Sequence, residues 1–226
     1  VASSVDPSPV VPEPVVPRPA AAVVPLRDGD DGLEVLVGQR TATARFMASF
    51  WVFPGGRVEE SDGPGDVGRR RAAARELHEE AGLRVDPDAL VALDRWITPR
   101  VIPIRFDTYF FIAGIDGDHT PTIDGEEIVD SRWASPGTLF AEAVEGRSVV
   151  AFPTLRQLEE LSGWRSVAEA TAACAARPVV PITPEIDPND GDPVLRITAP
   201  DGTAREFRDD PGLRNEAVSL QRRARG

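Results

Sequence analysis

Three glutamates, Glu76, Glu79 and Glu80, stand at i, i+3 and i+4 in the run Gly68-Arg69-Arg70-Arg71-Ala72-Ala73-Ala74-Arg75-Glu76-Leu77-His78-Glu79-Glu80-Ala81-Gly82. The alanines and the closing glycine mark this run as a helix, on which those spacings bring the three carboxylates onto one narrow face. Ala73, Ala74, Leu77 and Ala81 form the other side and predict packing on a sheet. Like charges so spaced repel by about 0.2–0.5 kcal/mol per pair, and the helix dipole disfavours each anion in the last turn by roughly 0.3–1 kcal/mol. A divalent cation would remove both effects. Hard oxygen ligands suit Mg²⁺ or Mn²⁺, which keep several waters and also take phosphate oxygens. The glutamates alone also fit a solvated acidic face, so their neighbours must decide.

Three neighbours point toward chemistry. Gly55 and Gly56 lie on a turn ahead of the helix, where a backbone without side chains can approach a ligand closely. Arg75, beside the first glutamate, can anchor a loop carboxylate by a bidentate pair.

The elements that must position these residues follow from local pattern. Residues 1–18 alternate Pro with Val, Ser and Glu and read as an extended leader. Strands are expected at 20–26, 33–37, 50–53, 91–98, 105–115 and 128–134, with helices at 136–145, 153–162 and 166–176. Strands and helices intermix without a regular βαβ repeat, which favours a mixed sheet flanked by helices. The folded domain is expected over 19–178. The Pro- and Asp-rich residues 179–226 follow as an extension with a short hairpin, 194–197 and 204–207 around Asp201-Gly202.

Composition narrows the partners. The chain carries 37 Asp+Glu against 25 Lys+Arg, every one of the latter an arginine, and this acidic balance argues against nucleic acid as a partner. The single cysteine, Cys174, reads as a buried helix thiol and permits neither an intramolecular disulfide nor a cysteine metal cluster. No apolar stretch approaches the roughly 18 residues of a membrane helix, and no membrane is expected. The start shows no basic region followed by an apolar one, and a cytoplasmic location is expected.

The string Arg75-Glu76-Leu77-His78-Glu79-Glu80-Ala81-Gly82-Leu83 resembles the second half of the Nudix box, Arg-Glu-apolar-x-Glu-Glu-x-Gly-apolar, at every fixed position. The first half departs from the pattern. Asp62 stands where the box has Glu after Gly56, and twelve residues rather than seven precede Arg75, with residues 63–68 the expected bulge. Glu59, Glu60 and Asp62 all remain open for the first acidic role. Phe53-Pro54-Gly55-Gly56 is similar to the usual lead-in, and residues 126–136 resemble a later acidic loop and tryptophan-bearing strand, so the resemblance covers roughly 19–165.

The resemblance implies an α/β fold, the Nudix α/β/α sandwich with a mixed β-sheet. It implies metal-dependent hydrolysis of a diphosphate bond in a small-molecule nucleoside diphosphate derivative. Glu76 and Glu80 would be metal ligands, and Glu79 a further ligand or the group that orients or deprotonates water. Glu126 and Glu127 are secondary candidates for the base, Gly55 and Gly56 would contact substrate, and Arg75 would be a structural clamp. His78 and His119 read as surface residues. The segment 39–56 and Phe152-Pro153-Thr154 resemble the acyl-coenzyme A diphosphatase branch, with Arg40 or Arg45 meeting the 3′-phosphate. Phe46, Met47 and Trp51 read better as core than as a ligand pocket. ADP-ribose, nucleotide sugars and damaged nucleotides are the alternative substrates, and a non-catalytic nucleotide sensor is a further alternative. The terminal hairpin could cover the cleft, serve a homodimer or do neither.

Overall fold

The run Ala20-Ala21-Ala22-Val23-Val24-Pro25-Leu26 is apolar at every position, which is the pattern of a strand covered on both faces. In the computed structural model, which describes residues 15–44, 47–117, 119–187 and 194–215, it forms the middle of β1 (Arg18–Gly29), buried from Ala20 to Leu26. One edge of β1 pairs in parallel with β6 (Phe106–Gly114) along its length. The other edge is shared. Beyond Leu26 it pairs with β2 (Gly32–Arg40), and at Ala20–Ala22 with β4 (Gly55–Arg57). β3 (Trp51–Val52) pairs with β2 at Gly38 and Gln39, so the β3–β4 segment wedges β1 and β2 apart. Pro25 has no N–H to donate, and it falls at this fork, between Ala22, which pairs with Gly55, and Leu26, which pairs with Val35.

β5 (Val91–Ile97) extends the sheet beyond β6, and β7 (Ile128–Ala134) closes the far side on β2. Parallel β1–β6 and antiparallel neighbours make the sheet mixed, as the irregular order of elements implied. The helix α1 (Gly65–Ala81) covers one face: Ala72, Ala73, Leu77 and Ala81 pack with Ala21, Val23, Leu36, Phe111 and Ala113. Ala72, rather than the expected Ala74, belongs to this buried set. The opposite face carries Val24, Leu26, Val35, Leu93 and Ile112 beneath α2 (Pro136–Val144), α3 (Phe152–Leu161) and α4 (Val167–Ala175). Cys174 is buried there. Alternate residues of β1 and β6 thus face opposite helical layers, giving the α/β/α sandwich.

The described residues after α4 pack on the sandwich. β8 (Pro181–Ile182) joins the main sheet in parallel beside β5. β9 (Glu185–Asp187), β10 (Val194–Thr198) and β11 (Ala204–Phe207) form a separate antiparallel sheet of three strands. It docks edge to face through aromatics, Phe207 on Phe152 with centroids 5.0 Å apart and Phe152 on Trp96 at 5.9 Å. Arg156 reinforces this contact, donating to Asp210 at 3.1 Å. No helix among the described residues is long and apolar enough to cross a membrane.

Candidate active site

The wedge between β1 and β2 sets the site, because it presses Gly55 and Gly56 against the last turns of α1. A Cβ on Gly56 would lie 2.3 Å from Oε1 of Glu76, and one on Gly55 would lie 2.5 Å from Cβ of Ala22. At Gly55, where a Cβ would also lie 2.7 Å from the Ala21 carbonyl oxygen, only glycine allows this approach, and at Gly56 a side chain would push the Glu76 carboxylate away. The Gly55 N–H donates to Oε2 of Glu80 at 3.0 Å.

The three glutamates are not one solvated stripe. Glu79 is exposed, with 56% of its side-chain surface open, Glu76 is largely covered, and Glu80 is buried at 5%. Burial pushes the Glu80 carboxyl up to about 8; the Gly55 N–H and Arg40 oppose this, while the charges of Glu76 and Glu127 add to it. Glu76 is also raised, first by burial and then by the charges of Glu79 and Glu127, against the pull of Arg75.

A stability prediction follows for the metal-free protein. Glu80 holds its proton more tightly folded than unfolded, so its contribution is complete below about 4.5 and is lost as pH rises through about 8. At ~1.4 kcal/mol per pH unit this is on the order of a few kcal/mol. In chelator, Glu80→Gln should flatten the decline in melting temperature between pH 5 and 8 and be the more stable form at pH 8. Parallel profiles for the two proteins would exclude Glu80 as the source.

Arg75 organises the loop that leads into the helix. Its Nε and Nη2 donate to the two oxygens of Asp62 at 3.2 and 3.1 Å, and Nη2 also reaches the Arg57 carbonyl at 3.1 Å. Nη1 donates to Glu76 at 2.8 Å and to Glu79 at 3.0 Å. Asp62 is 5% exposed and accepts the Glu59 N–H at 2.8 Å. Burial works against its charge, but Arg75, the Glu59 N–H and Arg71 outweigh that and hold it below the usual carboxylate range. Asp62 is therefore the loop carboxylate that Arg75 grips, whereas Glu59 and Glu60 make no ion pair with Arg75 among the described residues. The lengthened stretch is not the expected bulge over 63–68. The helix begins at Gly65, so most of the added residues form an extra helical turn. Gly63 crosses against it so tightly that a Cβ on Gly68 would lie 1.9 Å from the Gly63 carbonyl oxygen.

Arg40, at the end of β2, lies between carboxylates, 4.0 Å from Glu80 and 3.5 Å from Glu127. Of the two glutamates ahead of β7, Glu127 lines the cleft and Glu126 does not. Asp124 fixes this choice by accepting the backbone N–H groups of Glu126, Glu127 and Ile128, at 2.9 Å for the last. Its signal in the sequence was an Asp-Gly turn just before the glutamate pair. Arg45 and Phe46 lie outside the described residues. Met47 does line the cleft, contrary to its reading as core, whereas Trp51 packs in the core with Arg132 over its ring. The left-handed backbone at Met47 (φ 53°) takes the loop out of strand geometry, and no apolar pattern signals that. His78 meets Arg84 at 2.7 Å, and neither His78 nor His119 lines the cleft.

Arg40, Met47, Gly55, Gly56, Arg75, Glu76, Glu79 and Glu127 open on one cleft of about 580 Å³, with Glu80 buried behind them. Glu76, Glu79, Glu127, Arg40 and Gly56 form one end, and the remainder is mainly apolar, with Trp96, Ile102, Ile104, Phe106 and Leu195 alongside Thr98, Thr108 and Thr154, over Ala20 and Ala22. Sequence patterning reached the polar end and missed the apolar one.

The donor set suits a hard divalent cation. Among the described residues no three acidic or histidine side chains are already gathered at metal-holding spacing, since Arg75 draws Glu76 and Glu79 and Gly55 draws Glu80. Yet carboxylates whose ionised forms are disfavoured by burial and by one another's charge are the groups a cation would stabilise.

The fold recurs among solved structures. The sandwich matches the crystal structure of a NUDIX hydrolase from Alicyclobacillus acidocaldarius with a TM-score of 0.65 and 24% identity, covering 72% of this chain and 99% of that one, a likeness of fold. The NUDIX domain model matches residues 16–155, and the chain belongs to that family. A Caenorhabditis elegans relative carrying the name nudix hydrolase 7 is 29% identical over 163 residues, which cover 57% of this chain and 55% of that one. The chain thus spans about half the length of that relative. The NUDIX domain of Shewanella oneidensis NrtR, complexed with ADP ribose, shares the fold at a TM-score of 0.51 and 18% identity, covering 65% of this chain and 86% of that domain.

Proposed function

We propose that the protein hydrolyses a diphosphate bond in a nucleoside diphosphate linked to another group, and that this substrate is coenzyme A or an acyl-coenzyme A. The products would be 3′,5′-ADP and a 4′-phosphopantetheine fragment. The observation that carries the reading is the composition of the cleft: box glutamates and an arginine at one end continue into a long apolar wall. A diphosphate with an apolar arm matches both ends.

In this reading Glu76 and Glu80 hold Mg²⁺ or Mn²⁺, with Glu79 as a further ligand or as the group that orients or deprotonates the attacking water. The bound cation supplies charge neutralisation on the phosphoryl oxygens and acidifies water. Arg40 lines the cleft beside Glu80 and Glu127 and is the proposed partner of a substrate phosphate, with Arg45 the other candidate. Gly55 and Gly56 let the backbone of β4 border the substrate, and Arg75 positions Glu76 and Glu79. ADP-ribose, the ligand of the Shewanella domain, belongs to the same broad substrate class and is the second reading.

The test is Mg²⁺- and Mn²⁺-dependent product release from coenzyme A, octanoyl-coenzyme A, ADP-ribose and an ADP-sugar. Release of 3′,5′-ADP with the highest kcat/KM supports the proposal. Preference for ADP-ribose or the sugar overturns the substrate while keeping the carboxylate roles, and binding without turnover on any substrate supports a sensor instead.

A further inference from the structure

We infer that the three-stranded sheet after α4 is a specificity element, which with the β5–β6 loop encloses the apolar arm of the substrate and sets a preference for acyl over free coenzyme A. The inference rests on the proposed substrate. It begins from where the family domain stops: the matched region ends at residue 155, yet Pro184 and Leu195 line the same cleft as the box glutamates. Leu195 sits on β10, whose sheet is clamped by the Phe207–Phe152–Trp96 stack and by Arg156–Asp210. Phe152 and Trp96 line the cleft themselves, so the residues that dock the sheet also shape the wall.

Opposite stands the loop between β5 and β6. Ile102 and Ile104 line the cleft from this loop, and Val101 and Ile104 leave 61% and 38% of their surface in water. Exposed branched side chains at the lip of a cleft are surface that an apolar ligand would cover. The floor is Ala20 and Ala22, whose small side chains leave room above the sheet. The charged residues of the cleft are Arg40, Arg57, Arg75 and the glutamates, so the wall between loop and sheet, uncharged and mainly apolar with Thr98, Thr108 and Thr154 among its residues, suits an alkyl chain.

The experiment compares free coenzyme A with octanoyl-coenzyme A on the full chain, by kcat/KM with Mg²⁺, by binding without metal, and by hydrogen exchange. Octanoyl-coenzyme A should be preferred by at least about tenfold. Ile104→Glu on the loop and Leu195→Ala on the sheet should each reduce that ratio, mainly through KM. In the wild type the octanoyl ligand, and not free coenzyme A, should slow exchange at 98–106 and 194–207, a readout independent of how the variants fold. Turnover of both substrates with equal kcat/KM and no added protection overturns the inference and leaves the coenzyme A reading standing. No binding or turnover of either overturns both.

Discussion

Glu79→Gln should lower kcat by about 10²–10⁴-fold, the range expected when a group that positions or takes a proton is lost. The same change should leave the melting temperature within about 2 °C, because exposed substitutions rarely exceed ~0.5 kcal/mol. Glu79 has 56% of its side-chain surface open and one described side-chain partner, Arg75 at 3.0 Å, so little of the fold depends on it. Gln keeps the size and the oxygen while removing the charge and the basicity. Glu127→Gln is the informative companion, since Glu127 faces the same end of the cleft from a loop held by Asp124. Loss in the first variant with near-normal turnover in the second assigns the proton to the helix. The reverse result moves it to the loop. A rise in KM with kcat unchanged would instead show that Glu79 acts in uniform binding of substrate.

What the sequence disclosed and what it withheld divide along physical lines. Ala20–Leu26 and the periodic helix faces were legible because burial on both sides, or on one, writes itself into consecutive residues. The box helix was legible because its chemistry is local: Glu76, Glu79 and Glu80 are brought together by one turn of backbone. β4 was not, since Gly55-Gly56 carries the composition of a turn and becomes a strand only because Ala20–Ala22 offer it an open edge. The added residues before Arg75 read as loop from their glycines and proline, yet the helix extends back to Gly65. The far wall of the cleft was missed for another reason. Trp96, Ile104 and Leu195 come to share a cleft with the glutamates through the long-range β1–β6 pairing and through the docking of a separate sheet on Phe152 and Trp96, and no spacing records that. Glu127 was separable from Glu126 only once Asp124 had fixed the turn.

Arg75→Met should destabilise the protein by about 3–5 kcal/mol, because it strands a buried carboxylate in place of a paired one. Asp62 is 5% exposed, and Arg75 supplies both donors of its bidentate pair. Arg75→Lys should fall only part of the way back, since an ammonium cannot span Asp62, Glu76 and Glu79 together. The double variant Arg75→Met/Asp62→Asn separates anchoring from positioning. With the charge removed from position 62, denaturant unfolding should recover most of the lost stability. Turnover at saturating Mg²⁺ should stay depressed, because Glu76 and Glu79 no longer share the guanidinium that fixes their separation. Recovery of both stability and kcat would reduce Arg75 to a loop anchor. Failure of the double variant to regain stability would instead place the main contribution of Arg75 in its bonds to the helix glutamates and the Arg57 carbonyl.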